Sequence, residues 1–422
     1  MGRLLYYTKS VCPMCLETVY AAIEEECDGI YMKKECKEHG GFKTLVWRDN
    51  AKNYLKWLSF GGMDVEKLPR TTGEVDREIG EVSFSGEACA QPCSGALMTT
   101  NRCNNNCPVC FTRDSSEPLY EPSLDECKNL IIQYKNKAGD NALLELCGGE
   151  PTVREDIFEI SKFASQNGFH YIQLNTNGIE LAKSGEYCEK LKASGVTTVY
   201  LGFDGVTQKP YINKYGRDML GIKTSALENC KKAGLAVVLV TCVIPRVNDN
   251  ELGDIVAFAK ANMPTVKGIY LQPISYFGIY PKGDIRRITI PEVLRSLELQ
   301  TDGEIKASNF SPGAYEHPQC SFNGCFMLAK GNRLKSLTSF SKKERNPEGY
   351  KRIRRSIKNT WMPGRVPMLT IGGMAFQDAW NIDILRIMSC SVQIIGWDNK
   401  MIPLCSKYLT SCSGEKIHPG IS

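Results

Sequence analysis

Between residues 95 and 300 the chain alternates two hydrophobic periods. Nearly continuous apolar runs, GALMTT, ALLELC, YIQLNT, TTVYLGF, AVVLVTCV and GIYLQPI, read as strands. Amphipathic stretches lie between them, such as DECKNLIIQYKNK behind the capping Ser123, then VREDIFEISKFASQ, TSALENCKKAG and NELGDIVAFAK. Six β/α units in succession predict an α/β fold, a parallel sheet curved into a partial (β/α)6 barrel. In such a fold the chemistry sits at the C-terminal ends of the strands. Residues 1–60 form a separate small unit, 61–94 read as a linker or extended wrap, and 301–422 form a cysteine-bearing C-terminal extension. Within that extension 301–360 looks irregular.

Composition narrows the setting. At 422 residues the chain is long enough for two or three domains. A net charge of +5 is too small to imply nucleic acid as a partner. The opening MGRLLYYTKSVCPMC has no long apolar core or small-residue cleavage site, so no secretory signal is expected. No run reaches the roughly 20 apolar residues of a membrane span. The outlier is 19 cysteines, clustered in short hooks within an ordinary globular composition. Metal ligation in a reducing, cytoplasmic compartment is the expectation. One stretch, with Lys342, Lys343, Arg345, Lys351, Arg352, Arg354 and Arg355, is basic. It reads either as a solvated helix face or as a surface for an anionic group.

The first expected strand runs directly into TTNRCNNNCPVCF, which spaces Cys103, Cys107 and Cys110 as C-x3-C-x2-C. Three thiolates from one loop can hold three irons of a cubane cluster and leave the fourth iron open to a small chelating molecule. A structural zinc site instead wants four protein ligands. The second strand ends in LELCGGEPT. Gly148 and Gly149 expose backbone there, and Glu150 adds a carboxylate, together a receptor for an ammonium group. Asn177 and Asp204 follow the third and fourth strands as short polar side chains at the rim, suited to ribose hydroxyls or a carboxylate, or equally to turns.

The cysteine spacing resembles the signature of the radical S-adenosylmethionine (radical SAM) superfamily, and GGEP resembles its amino-group-binding motif. The resemblance implies a [4Fe–4S] cluster on Cys103, Cys107 and Cys110, with S-adenosylmethionine (SAM) against Gly148, Gly149, Glu150, Pro151, Asn177, Asp204 and Gln272. Val109 departs mildly from a position that is often aromatic. The implied reaction is reductive cleavage of SAM to a 5′-deoxyadenosyl radical that abstracts hydrogen from a substrate carbon, in an anaerobic setting. An electron donor such as ferredoxin or flavodoxin is implied as a partner.

Two hooks near the N-terminus, Cys12 with Cys15 and Cys36 with His39, match a zinc-ribbon or rubredoxin-like site for zinc or iron, with Cys27 as an alternative fourth ligand. With this knuckle, and with HPQCSFNG and MIPLCSKYLT near the C-terminus, the chain resembles the branch of archaeal tetraether synthases and pterin methyltransferase-like enzymes. Within it the resemblance is closest to the radical SAM (seleno)protein group TrsS. Candidate ligands for an auxiliary cluster are Cys89, Cys93, Cys320, Cys325, Cys390, Cys405 and Cys412, with His317 close by in sequence. Cys127, Cys188 and Cys230 read as packed helical thiols. The expected function is methylation or C–C bond formation on a small or lipid-like molecule. Peptide modification is the alternative, and a non-catalytic electron carrier the third reading.

Overall fold

The computed structural model describes residues 2–80, 92, 94–112, 119–139, 142–280, 286–313, 316–340, 361, 367–397 and 400–417. Strands β1 (Arg3–Val11), β2 (Thr18–Glu26), β3 (Gly29–Cys36) and β4 (Gly40–Trp47) form an antiparallel sheet in that order. Helix α1 (Ala51–Phe60) follows, started by the Asn50 side chain accepting from the Asn53 amide. The segment read as a linker carries a helix of its own, α2 (Thr72–Ile79), opened by a reciprocal capping box between Thr71 and Glu74. Its Val75 and Ile79 pack against Ile384.

All six expected strands form: β5 (Ser94–Thr100), β6 (Leu143–Gly148), β7 (Ile172–Thr176), β8 (Thr198–Gly202), β9 (Ala236–Val243) and β10 (Val266–Pro273). They pair in parallel, in spatial order. The crossovers contain α3 (Leu124–Ala138), α4 (Ile157–Gln166), α5 (Ile179–Lys183), α6 (Gly185–Ala193), α7 (Gln208–Tyr215), α8 (Leu220–Ala233) and α9 (Leu252–Ala261), and α10 (Ile290–Gln300) follows β10. One parity of strand residues is fully buried beneath the helices, among them Leu144, Leu146, Leu174, Val199, Leu201, Val237 and Leu239. The other parity faces the lumen, where Glu145, Gln173, Asn175, Tyr200 and Gln272 line a cavity. Burial on both faces explains why these strands read as apolar runs.

The C-terminal extension adds strands to both edges of this parallel core. On the β10 side come β13 (Met368–Met374, parallel), then β11 (Ser321–Ala329) and β12 (Arg333–Ser336), both antiparallel. On the β5 side come β14 (Val392–Ile395, parallel) and β15 (Met401–Pro403). The result is an 11-stranded sheet, with β11 and β12 inside the stretch expected to be irregular. The basic cluster between Lys342 and Arg355 lies outside the described residues.

The N-terminal sheet and α1 are tied to the extension through buried polar groups. Thr8 Oγ1 donates to Asp383 (2.6 Å), Lys34 Nζ to the Ala379 carbonyl (2.7 Å), and Trp57 Nε1 to the Pro318 carbonyl (2.7 Å). The Cys412 amide donates to the Pro13 carbonyl (2.8 Å). Among the described residues, no helix is long and apolar enough to cross a membrane.

Candidate active site and metal knuckle

The cysteine loop leaves β5 at its C-terminal end and is held on both sides. Asn101 and Tyr120 exchange hydrogen bonds of 2.8 and 2.9 Å. Arg102 grips Glu121 with two bonds of 2.6 and 2.8 Å. Cys110 forms an isolated antiparallel bridge to Ile279. So fixed, Cys103, Cys107 and Cys110 share the wall of one cavity of about 290 Å³. N–H donors surround the sulfurs: the Asn105 amide approaches Cys103 (3.4 Å) and Asn105 Nδ2 approaches Cys107 (3.2 Å). Such donors accompany cluster thiolates and tune their potential, so the loop fits a cubane cluster. Burial pushes the Cys107 thiol up to about 11. Two further cysteines, Cys147 and Cys242, line the same cavity. The Cys147 thiol donates to the Leu97 carbonyl (3.5 Å), and burial raises both thiols, Cys242 to about 11.

The GGE turn packs directly beneath this loop. The Gly149 and Glu150 amides donate to the Thr100 and Arg102 carbonyls, each at 2.8 Å. A Cβ on Gly148 (φ +139°) would stand 2.1 Å from the Thr100 oxygen, and one on Gly149 2.4 Å from the Arg102 oxygen. Glycine is therefore required twice, by contact and by conformation. Glu150 is 1 % exposed. Its carboxylate accepts from Thr152 Oγ1 (2.6 Å), Thr176 Oγ1 (2.7 Å) and the Asn177 amide (2.6 Å), leaving it oriented toward the cavity it lines. Burial raises its pKa against those donors. Asn177 donates to Asn104 Oδ1 (2.8 Å) and also lines the cavity, as do Val109 and Gln272. Pro151 opens a buried 3-10 turn, Pro151–Val153, behind Glu150.

Asp204 departs from its expected place at the rim. It is fully buried and saturated by Lys214 Nζ (2.8 and 2.9 Å), Tyr215 OH (2.8 Å) and the Cys242 amide (2.8 Å). The residue that faces the cavity is Lys214, which Asp204 holds in place. Burial would lower the lysine's pKa, but the Asp204 charge outweighs it and the pKa is raised. Beside it Lys223, fully buried, donates to the Asn177 carbonyl (2.5 Å) and faces the Tyr215 ring at 4.7 Å. Neither lysine carries a sequence signal, because each sits on an ordinary helix and gains its role from the fold.

Below the cluster loop a second chamber of about 190 Å³ adjoins this cavity inside the barrel. Glu145, Asn175, Tyr200 and Gln272 border both chambers. The deeper one is walled by Tyr171, Tyr270, Phe322 and Trp361, with Gln173 and Asn323 as polar groups. Tyr171, Gln173 and Tyr270 were legible only as strand positions, by a polar or aromatic residue at every second place of an otherwise aliphatic strand, as in LLELC and YIQLN, whereas Phe322, Asn323 and Trp361 lie outside the six expected strands.

At the N-terminus the ligand atoms of Cys12, Cys15, Cys36 and His39 lie within 4.8 Å of one another. The His39 ring, 3.5 Å from Cys36, lowers that thiol to about 6. Two rigid hooks meeting at this distance fit a tetrahedral ion. Cys27, the alternative fourth ligand, is exposed in the turn between β2 and β3 and stands outside the group.

The C-terminal cysteines divide. Cys320, Cys390 and Cys405 converge with Glu316 and His317 on a small pocket of about 20 Å³ at the far end of the lumen. There Arg386 donates to the Cys320 sulfur (2.9 Å) and the Gln377 amide to that of Cys405 (3.3 Å). Cys325 lies on β11 away from this pocket, and Cys412 lies beside the knuckle. Cys89 and Cys93 are outside the described residues. Of the helical thiols, Cys127, Cys188 and Cys230 are all buried in the core.

Residues 97–259 match the radical SAM superfamily, and residues 4–48 match the HMPTM N-terminal zinc ribbon domain. The chain is 32% identical to the 7,8-dihydro-6-hydroxymethylpterin dimethyltransferase of Methanocaldococcus jannaschii, over 94% of this chain and 92% of that protein. It is 27% identical to the mycofactocin maturase MftC of Mycolicibacterium smegmatis, over 41% of this chain and 43% of that one. Among solved structures, Streptococcus suis SuiB bound to S-adenosylmethionine is similar at 16% identity and a TM-score of 0.43, covering 50% of this chain and 48% of that one. The cluster loop and its barrel, joined to a Cys/His ribbon along nearly the whole of the archaeal relative, make the chain a member of the radical SAM superfamily, and an enzyme of the branch that opens with this ribbon.

Proposed function

We propose that this enzyme binds a [4Fe–4S] cluster through Cys103, Cys107 and Cys110, binds SAM across the GGE turn, and modifies a small polar heterocycle held in the barrel lumen. The observation that carries the proposal is a wall shared by two chambers: Glu145, Asn175, Tyr200 and Gln272 line both the cluster-side cavity and the lumen. When bound, the cluster and SAM together supply reductive cleavage of the sulfonium and a 5′-deoxyadenosyl radical for hydrogen abstraction. The protein's own groups do the placing. Glu150 and the carbonyls of the GGE turn receive the amino group of SAM. Lys214, fixed by Asp204, presents a cation for its carboxylate. Asn177 and Gln272 supply polar contacts at the rim, and the enclosing barrel keeps water from the radical.

The archaeal relative's name supports a pterin-like substrate and transfer of a methyl or one-carbon group. Cys320, Cys390 and Cys405 are proposed to hold an auxiliary iron–sulfur cluster, since Arg386 offsets the charge that buried thiolates would bring. That pocket shares Glu316, Met374, Phe376, Val392 and Leu404 with the lumen, which is the observation favouring a peptide-modifying second reading. Cys12, Cys15, Cys36 and His39 are proposed to hold zinc, following the ribbon's family.

The test is release of 5′-deoxyadenosine by anaerobic, dithionite-reduced protein. Cys107→Ala is expected to abolish it and the cluster's visible absorbance while the knuckle metal stays bound. Release unchanged in that variant would overturn the assignment.

A further inference from the structure

Four hydrogen bonds in the lumen run in one direction. Tyr171 OH donates to Gln173 Oε1 (3.1 Å), Gln173 Nε2 to Asn175 Oδ1 (2.7 Å), and Asn175 Nδ2 to Glu145 Oε2 (3.4 Å). From the other side Ser94 Oγ donates to Glu145 Oε1. Every proton in this network points toward one carboxylate, so the network fixes Glu145 as an acceptor. An ionised carboxylate offers about four acceptor sites, and these neighbours use one on each oxygen. No cation among the described residues pairs with Glu145; burial raises its pKa, while the hydrogen bonds from Ser94 and Asn175 favour the charged form. A buried carboxylate without a counter-charge is costly to keep. Here it stands where both chambers meet, on the wall of the space a substrate would enter.

Aromatic rings wall the chamber around it. Trp361 lies 5.6 Å from the Tyr200 ring and 6.3 Å from that of Tyr171, and Tyr200 lies 5.8 Å from Tyr270. Trp361 is itself held by Nε1 donating to Thr370 Oγ1 (2.6 Å). Aromatic walls with one fixed acceptor select a planar ligand by its donor edge. A hydrocarbon chain would leave Glu145 desolvated and unpaired.

We infer that Glu145 is the substrate-recognition residue of the lumen, and that its free lone pairs accept two adjacent N–H donors from the edge of a planar 2-amino-4-oxo-pyrimidine ring. The inference rests on the lumen being the substrate chamber of the radical reaction. Recognition of this kind discriminates strongly, because a ring lacking the donor leaves the buried acceptor unpaired.

The experiment is equilibrium binding, by fluorescence, of 6-hydroxymethylpterin to anaerobic, cluster-loaded protein. Lumazine, which carries a carbonyl in place of the 2-amino donor, is the control. Wild-type protein is expected to bind the pterin at least tenfold more tightly than lumazine. Glu145→Gln is expected to abolish that preference by weakening the pterin alone, with SAM binding unchanged. Equal affinity of wild-type protein for the two ligands would overturn the inference without any variant having to fold. Unaltered preference in a folded Glu145→Gln protein would overturn it as well. Wild-type protein that releases 5′-deoxyadenosine but binds no pterin rejects the recognition role and leaves the radical reading standing. Protein that releases none rejects the reading beneath it.

Discussion

Gly148 shows how little room the cofactor rim allows. Its φ of +139° and the 2.1 Å approach of a notional Cβ to the Thr100 oxygen act together. The backbone strain alone is about 1–3 kcal/mol for a side-chain-bearing residue. Gly148→Ala is therefore expected to weaken SAM binding about tenfold or more, equivalent to about 1.4 kcal/mol, and isothermal titration would show it. Lys223 gives a prediction in pH. Burial lowers its pKa from 10.5 to about 8. A base depressed on folding favours the native state above its unfolded pKa, and that contribution fades as pH falls through the folded value. Between pH 8 and 10.5 the wild-type protein should thus gain stability with rising pH by up to one proton's worth of slope. Lys223→Met should flatten that segment in urea titrations; an unchanged slope would assign the buried charge elsewhere. At this scale the sequence exposed the cysteines and the GGE turn because their spacing is local. It hid Lys214 and Glu145, whose partners Asp204, Ser94 and Asn175 come from other elements.

Among the elements, the six parallel strands were readable because each is buried on both faces and announces itself as an apolar run. Helix α3 announced itself through Ser123, which caps it as expected and also forms a reciprocal box with Glu126. The edge strands gave no such signal. β11 reads SFNGCFMLA, with polar and glycine positions between its aromatics, and its partner β13 begins nearly forty residues beyond its end. Helix α2 was missed because TGEVDREI has only two buried positions, Val75 and Ile79. These same late elements bring Cys320, Cys390 and Cys405 together while leaving Cys325 and Cys412 apart. Cys320→Ser is accordingly expected to remove about four irons per chain, one cubane's complement. Cys325→Ser and Cys412→Ser should remove none. Iron and sulfide analysis with Mössbauer spectroscopy decides it, and equal loss in all three would break the proposed grouping.

For the whole molecule, the N-terminal ribbon and the C-terminal extension behave as one body. Thr8 reaches Asp383, Lys34 reaches Ala379, and the backbone of Cys412 reaches Pro13. Lys34 is 5 % exposed, and burial lowers it to about 7. Displacing the ribbon would thus uncover polar groups on both sides. Emptying the knuckle with Cys15→Ala should speed hydrogen exchange in β1–β4 and also in residues 376–388 and 408–412, while β7–β9 keep their protection. Unaltered exchange in the C-terminal segments would mean that the ribbon docks without its ion.

The placement of β13 and β14 on opposite edges of the parallel core bears on how the enzyme is assembled. Phe376, Ile394, Leu404 and Tyr408, which line the cluster-side cavity, all come after the six central strands in the chain. A chain folded only through its six central strands would leave that chamber unroofed. The chamber's wall is thus complete only once residues 376–408 have docked against the central strands.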